Sequence, residues 1–558
     1  MLSLKLKWCS SLEKCFWDDP FEEKPEKTSF VMFANERLAA QFVYYNERPE
    51  RPRLCEIEVD GPLAPYVEIR DVVSIPSMLP LDLMFPDERL LRNQPGLYPD
   101  LIRPLHYHGT FKPAPLQLGA LFVTVKLPDG FAPGEYPLTV SVFSQAGTTT
   151  PRTCLGSECA TVRVLKAVLP PQRCIHTEWF YTDCIANAYR VEAFSETHWK
   201  AIEDFMAMAV DSGINMILTP IFTPELDTYV GGERMTTQLL DITRTADGSY
   251  TFGFDRLDRW LEIARRVGVQ YFEIPHFFSQ WGAHNTPKII ANVDGEEKRI
   301  FGWETDALGE EYEAFLSAMI PAFVAHMKEK GLDKQCFYHI SDEPKLENLA
   351  HYKKCKELIS KYLGDYPIID ALSSYEFYET GALKKPVPFI GHIEPFLENR
   401  VKGLWAYYAG TGDCRDLTGR HFAMTLARTR ILGVQLYMHR IEGFLHWGFN
   451  FYNNCRSYDV IDPFLCSDGE IWAPSGDTYL VYPGTDGKPW ESLRLNAMRE
   501  AMDDIRALEL CESIHGRAFT ERLVLEGTDG SLSFTHFPHD ADYLLNLRER
   551  LASAIEEE

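Results

Sequence analysis

The sequence has few basic residues, no long apolar run and no paired-cysteine motif. Lys and Arg total 56 against 81 Asp and Glu, which gives a net charge of −25. Such a chain has no basic patch to neutralise phosphates, so we expect no nucleic-acid partner. No stretch is long enough to span a bilayer, and the first residues contain no apolar segment of signal-peptide length. We therefore expect no membrane partner.

The cysteines also limit the possibilities. There are 13, an odd number, and no C-x-x-C pair occurs among them. Cys154 and Cys159 come closest to a motif, but no second pair with zinc-ligand spacing follows. The histidines and carboxylates show no metal-ligand spacing either. We predict no metal and no cofactor, and the simplest interpretation is a cytoplasmic protein with reduced, mostly buried thiols.

The 558 residues exceed what one ordinary core accommodates, so two or more domains are expected. Residues 1–168 contain short segments in which apolar and polar residues alternate, as at 54–59, 66–73 and 121–127. Turn formers such as Pro128-Asp-Gly separate these segments. Strands with a period of two at regular spacing predict an antiparallel β-sandwich.

After Pro170 and Pro171 the pattern changes. Apolar runs that begin near residues 174, 214, 269, 335, 366, 387, 402 and 443 alternate with helical stretches, for example at 196–209, 254–267, 310–330 and 492–510. Eight βα units predict a (β/α)8 TIM barrel over residues 172–511. Residues 512–558 would form a C-terminal extension. The predicted fold class is thus a multidomain α/β protein, with a β-sandwich followed by a barrel.

Two adjacent carboxylates, Asp342 and Glu343, end the fourth of these apolar runs. Like charges this close favour one protonated and one ionised group at neutral pH. A proton donor beside an anion is what cleavage of a glycosidic bond requires. The alternative is that Asp342-Glu343-Pro344 only caps the next helix. The active site of a TIM barrel lies at the carboxyl ends of its strands, which favours a catalytic pair.

The ends of other predicted strands supply candidate substrate-binding residues. Aromatic side chains can stack on sugars, and histidines and carboxylates can bind hydroxyl groups. For each of them, packing in the core or a structural role is the alternative. The candidates are Glu273, His276, Trp405, Tyr407, His446, Trp447 and Tyr482.

Several stretches resemble the catalytic domain of glycoside hydrolase family 123. They are Phe-Tyr-Thr-Asp-Cys-Ile-Ala at 180–186, Gly-Ile-Asn-Met-Ile-Leu-Thr-Pro at 213–220, Gln-Trp-Gly-Ala at 280–283, His-Ile-Ser-Asp-Glu-Pro at 339–344, Gly-Phe-Leu-His-Trp-Gly-Phe-Asn-Phe at 443–451 and Tyr-Pro-Gly at 482–484. Together they extend through nearly all of residues 172–510. The resemblance implies a retaining, exo-acting β-N-acetylhexosaminidase, with N-acetylgalactosamine favoured. The segment 419–430 has no match residue by residue, so no role is carried to Arg420 or His421.

The resemblance also implies substrate-assisted catalysis. Glu343 would protonate the leaving oxygen, and the sugar's own 2-acetamido oxygen would attack the anomeric carbon to form an oxazolinium ion. Asp342 would orient and stabilise the acetamido nitrogen, and Glu343 would then act as the base for water. The expected partner is a glycan or glycoconjugate with a terminal 2-acetamido sugar. The sequence does not indicate an oligomeric state.

Two other functions fit the residues. The first is an ordinary retaining glycosidase with a separate nucleophile, such as Glu273 or Glu442. The second is a catalytically silent protein that only binds carbohydrate. The intact pair of Asp342 and Glu343 argues against the second.

Overall fold

A computed structural model describes residues 4–49, 54–82, 84–105, 109–145, 151–410 and 413–557 of the chain. The first ten strands in the described part all precede residue 165. They are β1 (Leu4–Ser10), β2 (Ser29–Met32), β3 (Arg37–Asn46), β4 (Cys55–Asp60), β5 (Val67–Ser77), β6 (Gly96–Pro104), β7 (Thr110–Phe111), β8 (Leu118–Lys126), β9 (Gly134–Ser144) and β10 (Thr153–Val164).

These strands form two sheets that share one apolar core. One sheet has the order β1-β3-β8-β5-β6, and the other has the order β2-β10-β9-β4-β7. Alternate residues of both sheets point into the core, for example Trp8 and Phe42 from the first sheet and Val140 and Val162 from the second. The alternation of the sequence therefore predicted the buried face of each strand.

The sequence predicted antiparallel sheets, but one pair of strands in the structure is parallel. β2 pairs with β10 in parallel, with Ser29 opposite Thr161 and Met32 opposite Val164. A parallel pair needs a long crossover between its strands, and almost the whole region lies between β2 and β10. The remaining pairings in the two sheets are antiparallel.

Each of the eight later apolar runs contains a strand. These strands are β11 (Ile175–Glu178), β12 (Met216–Leu218), β15 (Tyr271–Glu273), β18 (Cys336–Phe337), β19 (Ile369–Leu372), β20 (Lys385–Pro388), β21 (Trp405–Tyr407) and β22 (Gly443–His446). Six of them form a parallel sheet with the order β18-β15-β12-β11-β22-β21. β19 and β20 form a separate parallel pair. Single parallel bridges, Tyr338 to Ile368 and Phe389 to Tyr407, lie between the pair and the two edges of the larger sheet.

A small sheet lies among the connections of this region and was not predicted. It has the order β14-β13-β16-β17 and consists of β13 (Asp241–Arg244), β14 (Tyr250–Gly253), β16 (Ile289–Val293) and β17 (Glu296–Phe301). Its strands have only four to six residues; β16 is mainly apolar, whereas the first four residues of β17 are exposed. Such segments lack the apolar period that marks a strand in a sequence.

Helices separate most of the parallel strands. Those in the described part are α1 (Thr182–Tyr189), α2 (Glu196–Asp211), α3 (Asp255–Val267), α4 (Glu310–Glu329), α5 (Leu349–Leu363), α6 (Glu376–Glu379), α7 (Glu394–Glu398), α8 (Leu426–Arg430), α9 (Leu432–Met438), α10 (Leu493–His515), α11 (Arg517–Leu525) and α12 (Ala541–Glu556). Ser195 caps α2 by accepting a hydrogen bond from the N–H of His198, a role for which serine is well suited. Among the described residues, no helix has both the length and the apolar character needed to cross a bilayer.

The two halves of the chain are joined through one sheet. The hairpin of β23 (Tyr482–Pro483) and β24 (Pro489–Ser492) extends the first N-terminal sheet by pairing with β6. Arg494 forms a buried, bidentate ion pair with Asp100 on β6, at 2.8 Å from each carboxylate oxygen. The Tyr482 hydroxyl donates to Asp100 Oδ2 over 2.6 Å. Tyr482, a predicted substrate-binding residue, is fully buried, so the structure places it in the interior beside Asp100 rather than on an open surface.

Candidate active site

Asp342 and Glu343 lie in a tight turn beyond the carboxyl end of β18. The backbone N–H of Ile340 donates to both carboxylate oxygens of Asp370 on β19, and the hydroxyl of Ser341 donates to the carbonyl of Ser279. Glu343 has a left-handed backbone with φ of 42°, a conformation that costs energy for a residue other than glycine. These contacts hold the turn between two neighbouring strands.

Neither carboxylate caps a helix. After Pro344 the chain makes a short 3-10 turn at Leu346–Asn348, and α5 begins at Leu349 with Asn348 at the N-cap position. The capping alternative therefore does not explain the pair.

The carboxylate of Asp342 accepts no hydrogen bond from any residue that the structure describes. Burial and the charge of neighbouring Glu343 raise its pKa well above the ordinary value. The negative charges of Asp370 and Glu225 act in the same direction, whereas His339 opposes them. Asp342 is half-buried, so a bound molecule can reach this unpartnered group.

Glu343 is held from the other side by Tyr407. The Tyr407 hydroxyl donates to Glu343 Oε1 over 2.6 Å. Tyr407 is thus brought to the pair, as a hydrogen-bond donor rather than a stacking surface. Trp405, two residues earlier on β21, is fully buried and packs on Phe337 and Gly443. The structure therefore places Trp405, a predicted substrate-binding residue, in the interior and not on the open side of the site.

A charged network lies buried behind the turn. His339 Nε2 lies 2.7 Å from Glu273 Oε1, and its Nδ1 lies 3.1 Å from Asp370 Oδ1. Because both ring nitrogens face carboxylates, His339 is an imidazolium that donates twice. Burial opposes this charge, but the hydrogen bonds to Asp370 and Glu273 raise the pKa of His339 to about 9.

Glu273 belongs to this network rather than to an exposed surface. It is fully buried and also accepts hydrogen bonds from Trp179 Nε1 over 2.8 Å and from the hydroxyl of Thr177. With its oxygens engaged in this way, Glu273 has no free face for a sugar. The structure therefore does not place it as a direct substrate contact.

His276 lies on the imidazole of His339, with ring centroids 4.3 Å apart. Neither of its ring nitrogens has a hydrogen-bond partner among the described residues. Burial, together with the charge of His339, lowers the pKa of His276 well below its usual value. It is fully buried, so it packs beneath the site and does not face it.

Donor atoms of His276, His339 and Asp370 all lie within 4.8 Å of one another. Two imidazoles and a carboxylate are a donor set that divalent metals accept. In this arrangement, however, both nitrogens of His339 already donate to carboxylates. No lone pair of His339 is left for a metal, and the cluster is best described as a charge network.

A second buried network supports Trp447, which follows β22. The indole N–H of Trp447 donates to Asp477 Oδ2 over 3.0 Å, and His446 Nε2 lies 3.2 Å from Asp477 Oδ1. Burial would raise the pKa of Asp477, but His446 and Arg420 hold it well below the usual range. Trp447 is half-buried, and its backbone carbonyl accepts from the Tyr181 hydroxyl over 2.8 Å. Burial raises the pKa of Tyr181 well above its usual value, and the charge of Asp342 adds a smaller effect in the same direction.

His446 and Arg420 complete this second network. His446 is fully buried and accepts a hydrogen bond from the N–H of Gly448 at Nδ1. Arg420 donates to Glu178 Oε2 over 2.6 Å. Burial would raise the pKa of Glu178, but Arg420 and His176 lower it to about 2. His446 and Arg420 therefore connect the ends of the strands through buried contacts, and neither side chain is exposed to a substrate.

Sequence reasoning missed a further acidic element, the loop after β12. Glu225 is buried and neither carboxylate oxygen has a partner among the described residues. Burial raises its pKa to about 8 and that of Asp227 to about 7. Arg234 lies nearby in a buried bidentate pair with Asp183. This loop has no regular period, so no signal in the sequence marked Glu225.

Glu442, the other candidate nucleophile, lies at the amino ends of the parallel strands, opposite the carboxylate pair. It directly precedes β22, and its N–H donates to the carbonyl of Leu404, just before β21. Its side chain is exposed and lies 3.7 Å from Lys385 Nζ. The carboxyl ends that carry Asp342 and Trp447 are at the other end of the sheet, so Glu442 is separate from the site.

Adjacent carboxylates at the carboxyl ends of parallel strands fit the active site of a glycoside hydrolase. The profile of the glycoside hydrolase 123 catalytic domain matches residues 179–511. The chain belongs to this family. A search of curated proteins found no match.

One of the solved structures similar to this chain shares its fold. A family 123 glycoside hydrolase from Clostridium perfringens, described for glycolipid glycan hydrolysis, superposes with a TM-score of 0.74 at 14 % identity over 100 % of this chain and 98 % of that one. A xyloglucanase from Bacteroides ovatus reaches 0.33 at 11 % identity, covering 90 % and 100 %. A β-glucuronidase from Bifidobacterium dentium reaches 0.31 at 10 % identity, covering 90 % and 67 %. The last two scores are too low to support any argument.

Proposed function

We propose that the protein is a retaining, exo-acting β-N-acetylhexosaminidase that uses substrate-assisted catalysis, with β-N-acetylgalactosaminides as the favoured substrates. The observation that carries the proposal is the arrangement of the pair. Glu343 is positioned by Tyr407 over 2.6 Å, whereas Asp342 beside it has no hydrogen-bond partner among the described residues. A carboxylate left open next to a general acid is suited to receive an N–H from the substrate.

In the proposed first step, Glu343 donates its proton to the glycosidic oxygen as the bond to the anomeric carbon breaks. The carbonyl oxygen of the 2-acetamido group attacks that carbon from the opposite face and forms a cyclic oxazolinium ion. Asp342 accepts the hydrogen bond of the acetamido N–H and balances the positive charge that develops on this group. Water then attacks the anomeric carbon while Glu343 removes its proton. Two inversions give net retention.

The proton has to be on Glu343 when the reaction starts. Burial and the neighbouring charge of Glu343 raise the pKa of Asp342, which favours a proton on the pair before substrate binds. An N–H donated to Asp342 favours its ionised form. Binding of the acetamido group would therefore move the proton to Glu343, which makes protonation of the acid dependent on the correct substrate.

An ordinary retaining enzyme needs a second carboxylate about 5–5.5 Å from the acid, on the opposite side of the bond. Glu273 is fully buried and its oxygens accept from Thr177, Trp179 and His339. Glu442 lies at the amino edge of the strands. Neither position suits a nucleophile, which favours assistance by the substrate.

We propose that the eight parallel strands close into a (β/α)8 barrel, supported by the bridges at Tyr338–Ile368 and Phe389–Tyr407. We also propose the division into residues 1–168, 172–511 and 512–558, with the chemistry confined to the second part. The free thiols of buried Cys9, Cys184 and Cys336 suit a cytoplasmic protein.

The substrate we propose is a glycan or glycoconjugate with a terminal 2-acetamido sugar. The preference for N-acetylgalactosamine rests on family resemblance, and the Clostridium perfringens neighbour, described for glycolipid glycan hydrolysis, is a precedent for a glycoconjugate. No nucleic acid and no membrane is proposed as a partner.

A set of nitrophenyl β-glycosides tests the proposal. The two N-acetylhexosaminides should be cleaved and their 2-hydroxy counterparts should not, because only the former carry the internal nucleophile. The Glu442→Gln variant, changed away from the site, should keep the wild-type preference. Cleavage of the 2-hydroxy sugars, or a glycosyl ester trapped on a protein carboxylate with a 2-fluoro sugar, would contradict substrate assistance.

The thiazoline analogue of N-acetylgalactosamine provides a second measurement on the same site. It resembles the oxazolinium ion, and a site complementary to that ion should bind it better than the product sugar. Asp342→Asn should weaken inhibition by the thiazoline more than inhibition by N-acetylgalactosamine. Equal weakening of both would argue against the role of Asp342.

A further inference from the structure

An exposed indole is attached directly to the catalytic turn. Trp281 lies in the loop after β15, and its backbone N–H donates to the carbonyl oxygen of Asp342 over 2.8 Å. Its side chain is 41 % exposed, although Gln280 and Ala283 beside it are buried. A large apolar side chain is thus held in water next to the reacting carboxylates.

Two more rings lie on neighbouring loops and are connected to this tryptophan through Arg456. Tyr229, after β12, and Tyr458, after β22, stack with ring centroids 4.4 Å apart and planes within 12° of parallel. The N–H of Tyr229 donates to the carbonyl of Arg456 over 2.9 Å, and the Arg456 guanidinium lies 5.9 Å from the centre of the Trp281 ring. We call these four residues the aromatic rim. Tyr458 is its most exposed ring, at 64 %.

Hydrogen bonds between the loops fix the position of the rim. The side chain of Gln280 accepts from the N–H of Asp227 over 2.6 Å and donates to the carbonyl of Thr228, which fixes the loop of Tyr229. The hydroxyl of Ser457 donates to the carbonyl of Asp227 over 2.8 Å. The three loops therefore support one another through backbone groups.

The backbone of the rim is also strained. Trp281 has φ of 58°, Arg456 of 54° and Ser457 of 55°, all in the left-handed region that side-chain-bearing residues avoid. Strained residues of this kind cluster at ligand-binding sites, because the surrounding structure must hold them there for a purpose. Exposure of the rings adds a second unfavourable feature at the same place.

We propose that the aromatic rim binds the sugar on the leaving-group side of the scissile bond, so that the natural substrate is an oligosaccharide rather than a simple glycoside. The inference rests on the proposed glycosidase function. The electron-rich faces of aromatic rings attract the weakly positive C–H groups on the face of a pyranose, and a guanidinium donates to its hydroxyls. With a net charge of −25 on the protein, a neutral sugar suits this surface better than an anionic one.

The position of the rim fits the path of a departing sugar. In an exo-acting enzyme the terminal sugar is enclosed and the rest of the glycan extends toward solvent. The exposed rim loops follow β12, β15 and β22 and so lie at the carboxyl ends of the strands, where the carboxylate pair also lies. Trp281 is covalently two residues from Ser279, whose carbonyl receives the hydroxyl of Ser341 in the catalytic turn.

The test compares two substrates of the same terminal sugar: a trisaccharide with β-linked terminal N-acetylgalactosamine, and its trifluoroethyl β-glycoside, which has a reactive but small, non-aromatic leaving group. In Trp281→Ala, the ratio of kcat/KM for trisaccharide over trifluoroethyl glycoside should fall about tenfold, the scale of one lost stacking contact. Tyr458→Ala should lower the ratio and Tyr458→Phe should restore it. Trp17→Ala is the matched control, since Trp17 is 45 % exposed and lies between β1 and β2.

An unchanged ratio in both Trp281→Ala and Tyr458→Ala would overturn the inference, and so would an equal fall in Trp17→Ala. A calorimetric measurement tests the rim independently of the proposed function, because it needs no turnover. It compares the affinity for the trisaccharide of the Glu343→Gln variant with that of the double variant Glu343→Gln/Trp281→Ala. If the wild type cleaves neither substrate, the proposed hydrolase activity fails. Weaker trisaccharide binding in the double variant would still support the rim, and equal binding would reject it.

Discussion

His339 provides a sharp test of the network behind the active site. In His339→Gln the imidazolium is replaced by a neutral amide, and the buried carboxylates of Glu273 and Asp370 lose the cation between them. Its pKa of about 9, against an ordinary 6.5, means that folding gains free energy from keeping this proton. At 1.36 kcal/mol for each pKa unit, the gain is about 3 kcal/mol. This is the lower end of the ~3–5 kcal/mol lost when one partner of a buried ion pair is removed.

The direction of the pH dependence follows from the raised pKa. The stabilisation is fully present below pH 6.5 and is lost as pH rises through about 9. If roughly 340 residues unfold as one unit, 3 kcal/mol corresponds to a fall in Tm of roughly 4 °C. We therefore expect His339→Gln to melt roughly 4 °C below the wild type at pH 6, and the gap to close between pH 6.5 and 10.

Thermal unfolding followed by circular dichroism at several pH values measures this gap. His392→Gln is the matched control, because His392 is exposed and should show no gap at any pH. A difference of the same size at pH 6 and pH 10 would refute the reasoning, since it would mean that the loss comes from packing and not from a charged imidazolium.

Two further predictions concern the site itself. Glu343→Gln should lower turnover of substrates with poor leaving groups by about 10²–10⁴-fold and that of activated aryl glycosides much less, because the latter need little protonation; equal losses in steady-state assays with both would count against Glu343 as the acid. Trp447→Ala should raise KM about tenfold by removing a stacking surface while the far-ultraviolet spectrum stays native, whereas a variant that unfolds without a kinetic defect in its folded fraction would assign Trp447 to the core.

The strands of the catalytic half could be predicted because each is a short apolar run bounded by helices. Strands such as Ile369–Leu372 are buried on both faces, so the signal was continuous hydrophobicity rather than alternation. The added sheet at 241–301 escaped prediction because its strands have only four to six residues and lie within connections between the parallel strands. The parallel pairing of β2 could not be predicted, since the sequence of a strand does not specify its partner.

The sequence also indicates which face of a sheet a strand residue occupies, but not how far that residue lies from the end of the strand that carries the site. Trp405 and Tyr407 alternate and share a face, yet Tyr407 reaches Glu343 while Trp405 packs on Phe337 in the interior. The pair of Asp342 and Glu343 was found because the residues are adjacent. The groups that support it, such as Asp370, come from other strands and are brought close only by folding.

The hairpin that completes the first sheet affects how the chain can fold during synthesis. Asp100 receives its buried partners from Arg494 and Tyr482, which lie 394 and 382 residues later in the chain. At a translation rate of about 5–20 residues per second, Asp100 waits roughly 20–80 s on the ribosome before they are made. Until then the edge of β6 and an unpaired carboxylate remain uncovered. The N-terminal half therefore cannot reach its final form as an independent nascent domain, and chaperones have that interval in which to bind the open sheet edge.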